Sequence, residues 1–228
     1  MVAAVVVTID GPAGSGKSTA ARLLAQRLGF VFLDTGAMYR CVAWKCRQMG
    51  VDLQDHPQVA LVARELRIRF EDERVFVAAQ DVSQAIRTPE SSEGSSVVAR
   101  NTEVRSNLVE LQRRAAAGQM IVTEGRDQGT VAFPEAICKF FLTADCRTRA
   151  ERRFRELQSR GLEADLDEIE QQLEVRDQRD LQRAIAPLKP ADDAMTIDTS
   201  GLTIVQVVDQ LEREARDRIN RGSRSETE

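Results

Sequence analysis

Eight residues near the amino terminus, Gly11-Pro-Ala-Gly14-Ser-Gly16-Lys17-Ser18, combine three glycines, an ammonium and a hydroxyl at the spacing G-x-x-x-x-G-K-[ST]. Glycines let the backbone wrap tightly enough for successive N–H groups to face an anion. In that pattern Lys17 neutralises the outer phosphate oxygens of a nucleoside triphosphate, and the Ser18 hydroxyl ligates Mg²⁺. Gly11, Pro12, Ala13, Gly14, Ser15, Gly16, Lys17, Ser18 and Thr19 are therefore the expected ATP contacts, with Lys17 also catalytic. Chance supplies about one such match in 700 chains of this composition. The loop also sits where the chemistry requires it, between an apolar run and a helical pattern.

Other chemistries lack their residues. The single histidine, His56, stands beside Pro57 in a polar stretch, so a histidine-based triad or multi-histidine metal site has little to build on. Cys41, Cys46, Cys138 and Cys146 contain no C-x-x-C pair, which removes zinc-ribbon and thioredoxin-like motifs. Buried thiols in a reducing compartment are expected instead. No N-K-x-D motif is present, which argues against a signalling GTPase.

The 228 residues carry a net charge of −4, with 42% hydrophobic and 30% charged side chains. That balance supports a folded core and argues against a nucleic-acid partner, whose footprint is basic. The longest apolar run, Met1 to Val7, is well short of the ~18 residues of a membrane span. A cytoplasmic monomer with neither membrane nor nucleic-acid partners is expected. Of the 32 cations, 28 are arginine, the side chain suited to forked recognition of phosphate.

The elements that must position these residues follow from hydrophobic periodicity. Ala3–Ile9, Phe30–Leu33, Met120–Thr123, Lys139–Leu142 and Met195–Ile197 read as buried strands. Helical patterns cover Ser18–Leu28, Ala37–Gln48, Ser96–Ala117, Arg147–Arg160, Asp167–Arg183 and Ile204–Ile219. Leu66–Phe70 and Val75–Ala79 alternate around Glu71-Asp72-Glu73-Arg74, which predicts an antiparallel hairpin. The expected fold is α/β, a P-loop NTPase-type parallel sheet with helices on both faces. Its expected segments are a core over 1–50, an inserted small domain over 51–95, and core again over 96–146. An arginine-rich segment over 147–165, core over 166–221 and a disordered tail over 222–228 complete the chain.

Three further segments extend the pattern: Leu33-Asp-Thr35-Gly-Ala-Met-Tyr39-Arg40, Glu124-Gly-Arg126-Asp127-Gln-Gly-Thr-Val, and Arg176-Asp-Gln-Arg179-Asp180-Leu-Gln-Arg183-Ala-Ile-Ala-Pro-Leu. With the phosphate loop and the segment Asp81 to Arg87, they resemble the bacterial-type cytidylate kinase family of the nucleoside-monophosphate kinase superfamily. The family pattern has Asp at Glu124, often Met at Gln128, and usually Ser at Thr35. The resemblance implies transfer of a phosphoryl group from ATP to CMP or dCMP, with Mg²⁺ accompanying ATP. It implies that Arg40, Arg126 and Arg183 bind the acceptor phosphate, and that Arg176 and Asp180 serve the ribose. It assigns Ser96, Arg105 and Asp127 to the cytosine and puts Thr35 and Tyr39 near the acceptor. It also implies that 51–95 binds the acceptor nucleotide and that 147–165 is a lid whose Arg149 and Arg153 reach the transferring group.

Another acceptor on the same fold, such as UMP or a hydroxy acid, stays open, as does a nucleotide-dependent binding switch. A hydroxyl acceptor would require a carboxylate base, for which Asp34 is the visible candidate.

Overall fold

The computed structural model describes residues 5–71 and 74–225, with side chains through residue 221. In chain order the elements are β1 (Val5–Asp10), α1 (Lys17–Leu28), β2 (Val31–Asp34), α2 (Thr35–Gln48), α3 (His56–Glu65), β3 (Ile68–Glu71), β4 (Arg74–Val77) and β5 (Gln80–Asp81). They continue as α4 (Pro89–Val98), α5 (Thr102–Ala116), β6 (Met120–Gly125), β7 (Cys138–Thr143), α6 (Cys146–Ser159), α7 (Leu166–Leu181), β8 (Met195–Asp198) and α8 (Ile204–Ser225). A π-type turn occupies Gln128–Ala132. The chain forms two compact units, one of residues 1–33 and 116–228, the other of residues 34–115.

The first unit carries a five-stranded sheet in the order β2-β6-β1-β7-β8. β1 runs parallel to both β6 and β7, and β8 parallel to β7. The β-branched run Val5 to Ile9 suits a central strand buried on both faces, and Val7 and Ile9 are fully enclosed. α1 and α8 bring Ala20, Ala21, Leu24, Val207, Val208, Leu211 and Ala215 onto Val122, Phe140, Leu142 and Ile197. A second cluster, Ala13 with Ala150, Leu157, Ile169 and Leu173, joins the phosphate loop to α6 and α7. The β1 register places Asp10 opposite Gly125 of β6, so the loops after both strands leave the same end of the sheet.

The second unit is mostly helical, with a small antiparallel sheet in the order β3-β4-β5. The predicted hairpin is present, extended by β5; Asp72 and Glu73 of its turn lie outside the described residues. Trp44 and Tyr39 are both buried on α2. The expected single helix from Ser96 to Ala117 is instead two, and Asn101 is the reason. Its side-chain oxygen accepts from Glu103 N at 3.0 Å and Val104 N at 3.3 Å, starting α5 afresh. Its amide donates to His56 O at 2.7 Å. His56 lies at the first turn of α3, whose N-cap Asp55 accepts from Gln58 N, rather than in a loop. The strand over Ala3–Ile9 begins at Val5, with Ala3 and Ala4 outside the described residues. At the other terminus α8 continues through Ser225 into the segment expected as a tail, of which residues 226–228 lie outside the described residues.

Candidate functional site

The phosphate loop starts where β1 ends. Gly11 has φ +152, and a Cβ there would stand 2.1 Å from Leu142 O on the neighbouring strand, so no side chain fits. Asp10, buried just before it, accepts from Gln128 N and Gly129 N, both at 2.8 Å, and so anchors the segment after β6 to the loop. Burial pushes its carboxyl up to about 7, with the nearby Asp127 charge adding to the effect against those two donors. α1 begins on Gly16, which provides no side-chain cap, and no acidic residue occupies its first turn. The helix thus opens with N–H groups that no side-chain cap and no acidic residue of its own first turn satisfies, an arrangement that suits phosphate.

Lys17 is 5% exposed and donates to Pro12 O at 2.9 Å. Burial lowers its ammonium to about 7, and the Arg126 and Arg176 charges push the same way, while Glu124 and Asp180 oppose them. Asp180, fully buried on α7, organises the arginines. Its carboxylate accepts from Arg126 Nε at 2.9 Å and from Arg183 Nη2. Burial alone would raise this carboxyl, but Arg126, Arg183 and Arg176 hold it below the usual range. Lys17, Arg126, Arg176, Asp180 and Arg183 therefore form one charged cluster, and Asp127 is buried where its charge acts on Asp10.

The α6 arginines separate by environment. Arg149 is 5% exposed; its Nε donates to Ala144 O at 2.9 Å and its Nη1 to Ala13 O of the phosphate loop at 3.0 Å. Nη1 also stands 2.7 Å from Asp177 of α7. Arg153 is half-buried and pairs with Glu156 at 2.7 Å on its own helix. Arg152 donates to the Thr199 hydroxyl at 2.9 Å, which in turn lies 3.3 Å from Ser15 O.

In the second unit, Asp34 caps α2 by accepting from Ala37 N at 2.8 Å and pairs with Arg40 Nη2 at 3.1 Å. The carboxylate that a hydroxyl acceptor would need as base is thus committed to a helix cap and a guanidinium. Thr35 is buried at the first position of α2. The Arg105 guanidinium lies over the Tyr39 ring, 5.9 Å from its centroid, and Nη1 donates to Ala99 O at 3.4 Å. That carbonyl belongs to the break between α4 and α5. Ser96 is buried on α4, so both helices of the broken pair carry a residue expected to read the base.

Ser18 and Thr19 are exposed at the start of α1. The Ser18 hydroxyl, a hard oxygen donor on a loop built for phosphates, fits Mg²⁺, which prefers one or two protein oxygens beside phosphate and water. Two other residues had no assigned role from sequence. Glu124, buried near the end of β6, acts on Lys17 and Arg126. Asp177 pairs with Arg149. Their placement at a strand end of a parallel sheet and inside the Arg176–Arg183 motif was the available signal. Cys146, Glu170 and Glu174 bring their ligand atoms within 4.8 Å of one another, but Arg147 already occupies Glu170 at 2.7 Å.

A parallel sheet whose central strand feeds a glycine loop and a helix, with a buried lysine and arginines gathered about one carboxylate, defines a P-loop kinase. The family profile described as cytidylate kinase matches residues 7–217. The chain belongs to the cytidylate kinase family. It is 45% identical over 219 residues to the cytidylate kinase of Desulfitobacterium hafniense (strain Y51), covering 95% of this chain and 94% of that one. With the cytidylate kinase of Thermotoga maritima it shares 42% identity over 215 residues, covering 94% and 98%. In fold it resembles a gluconokinase from Sinorhizobium meliloti 1021, with a TM-score of 0.50 and 13% identity over 97% of this chain and 95% of that one. An uncharacterized protein from Eubacterium ventriosum ATCC 27560 is similar at a TM-score of 0.53 and 12% identity, covering 94% and 99%.

Proposed function

We propose that the protein transfers the γ-phosphoryl group of ATP to CMP or dCMP, giving ADP and the corresponding diphosphate. The observation that carries this reading is the cation cluster. Burial and neighbouring arginines drive the Lys17 ammonium down to about 7, so the site holds positive charge that bound anions would relieve. Two phosphorylated substrates supply those anions. The acceptor phosphate is ionised near neutral pH, so it needs no general base, and the commitment of Asp34 to Ala37 N and Arg40 favours it over a hydroxyl acceptor.

In this reading the loop N–H groups and Lys17 hold the β- and γ-phosphates, and Ser18 holds Mg²⁺, which would supply charge neutralisation between them. Arg126 and Arg183, aimed by Asp180, take the acceptor phosphate together with Arg40; Arg176 and Asp180 serve the ribose. Ser96, Arg105 and Asp127 read cytosine, whose N4 amine suits a carboxylate or hydroxyl and whose O2 and N3 suit a guanidinium. Thr35 and Tyr39 line the acceptor, and Arg153 approaches the transferring group from α6. Catalysis is then positioning and charge stabilisation. No helix among the described residues is long and apolar enough to cross a membrane, and four free cysteines suit a reducing compartment; a cytoplasmic monomer completes the proposal.

The test is ADP release with ATP and Mg²⁺ against CMP, dCMP, UMP, AMP and GMP in parallel. Turnover with CMP and dCMP well above the rest is expected. A preference for another monophosphate overturns the base-reading roles, and ADP release indifferent to all five overturns the kinase assignment.

A further inference from the structure

The phosphate loop works only if its peptide N–H groups point at the nucleotide. Gly14 makes that orientation easy to lose, because with φ +76 and no Cβ the peptide joining it to Ala13 can turn over at little cost. One contact opposes such a turn. Ala13 O accepts from Arg149 Nη1 at 3.0 Å. Carbonyl and N–H point in opposite directions across a trans peptide, so holding Ala13 O toward Arg149 aims the Gly14 N–H away from it. Arg149 Cβ lies 3.0 Å from where a Gly14 Cβ would stand, and Ala13 itself packs with Ala150, Leu157, Ile169 and Leu173 of α6 and α7. The opposite side is the one left for phosphate.

A guanidinium can move, so something must hold Arg149. Its Nε bond to Ala144 O fixes one edge. The other anchor is Asp177, whose Oδ2 lies 2.7 Å from Nη1. This carboxylate is mostly buried, and its Oδ1 has no hydrogen-bond partner. A buried acceptor left unsatisfied is costly, which marks a group kept for its charge and position. Burial raises the Asp177 carboxyl, while Arg149 and then Arg126 lower it. Three residues along α7, Asp180 holds Arg126 and Arg183. One turn of one helix therefore presents two carboxylates, one to the strut beneath the phosphate loop and one to the arginines of the cation cluster.

We propose that Asp177 is a positioning residue that clamps Arg149 against Ala13 O and so sets the phosphate loop for ATP, while Asp180 does the corresponding work for the acceptor. This rests on the kinase reading above but not on the identity of the acceptor.

The test compares Asp177→Asn, Asp177→Glu, Arg149→Met and the double variant Asp177→Asn/Arg149→Met. Dissociation constants for ATP alone and CMP alone are measured with each folded protein, alongside thermal unfolding. Asp177→Asn should weaken ATP about tenfold, within the range for losing a buried charge-assisted contact, and leave CMP within twofold. Asp177→Glu should recover part of the loss. The double variant, which leaves no buried charge unpaired, should recover thermal stability while binding ATP no more weakly than Arg149→Met alone. Equal weakening of ATP and CMP, or additive losses in the double variant, overturns the proposal, as does a double variant with native ATP affinity. A native protein that binds ATP but not CMP refutes the acceptor assignment and leaves this test standing.

Discussion

Lys17 makes a direct prediction about protons. Its ammonium is held at about 7 by burial and by Arg126 and Arg176, so at pH 8 only about one unliganded molecule in ten carries that proton. A bound triphosphate restores the ammonium toward its ordinary value of about 10.4. Binding at pH 8 should therefore take up about 0.9 proton through this group. Because the bound state holds the extra proton, affinity must fall as pH rises, approaching tenfold per unit between pH 8 and 9. ATP is fully ionised across that interval, its terminal phosphate titrating near 6, so its own titration does not intrude. Calorimetric titration of ATP, with Mg²⁺ fixed, in buffers of different ionisation enthalpy measures the uptake directly. Asp10, pushed up to about 7, contributes in the same direction. Lys17→Arg separates the two by making the cation permanent, and at pH 8 its uptake should be at most half the native value. Native uptake below about 0.3 proton at pH 8, or equal uptake in Lys17→Arg, would refute the electrostatic account of the site.

Two further outcomes follow from the same contacts. Asp180→Asn leaves Arg126 and Arg183 buried without their shared carboxylate and should cost about 3–5 kcal/mol in urea unfolding at neutral pH. The folded Asp180 carboxyl sits below its usual value, so this stabilisation is fully present above about pH 5. It is lost as pH falls through the folded value, and the gap between native and variant should close on acidification. Tyr39→Leu removes the ring beneath Arg105. That contact is worth ~0.5–2 kcal/mol, so KM for CMP should rise about 2- to 30-fold with KM for ATP unchanged, and Tyr39→Phe, which keeps the ring, should lose less than Tyr39→Leu.

What could be read from sequence was what is local along the chain. The phosphate loop is eight consecutive residues, and the strands and helices that flank it announce themselves by periodicity. The break between α4 and α5 was hidden because the group that fixes Asn101 is the carbonyl of His56, 45 residues away. α3 went unread for a related reason: its cap at Asp55 lay in a polar stretch next to Pro57, which resembles a loop. Arg149 was expected, with Arg153, at the transferring group, and nothing local showed its hold on a carbonyl 136 residues distant. Asp177 was one carboxylate in a densely charged helix, where an ordinary surface pair looks the same. Its burial, and the unpartnered oxygen that marks it, arise only when α7 packs on α6.

Trp44 and Tyr39 are the only tryptophan and tyrosine of the chain, and both lie on α2 within the unit of residues 34–115. Intrinsic fluorescence excited in the indole band therefore reports on that unit alone, while far-ultraviolet dichroism sums every helix of both. If the two units melt as one cooperative body, the two signals trace a single curve. If the smaller unit opens first, emission shifts while most of the dichroism persists, and the unlabelled protein becomes its own probe of sub-global unfolding.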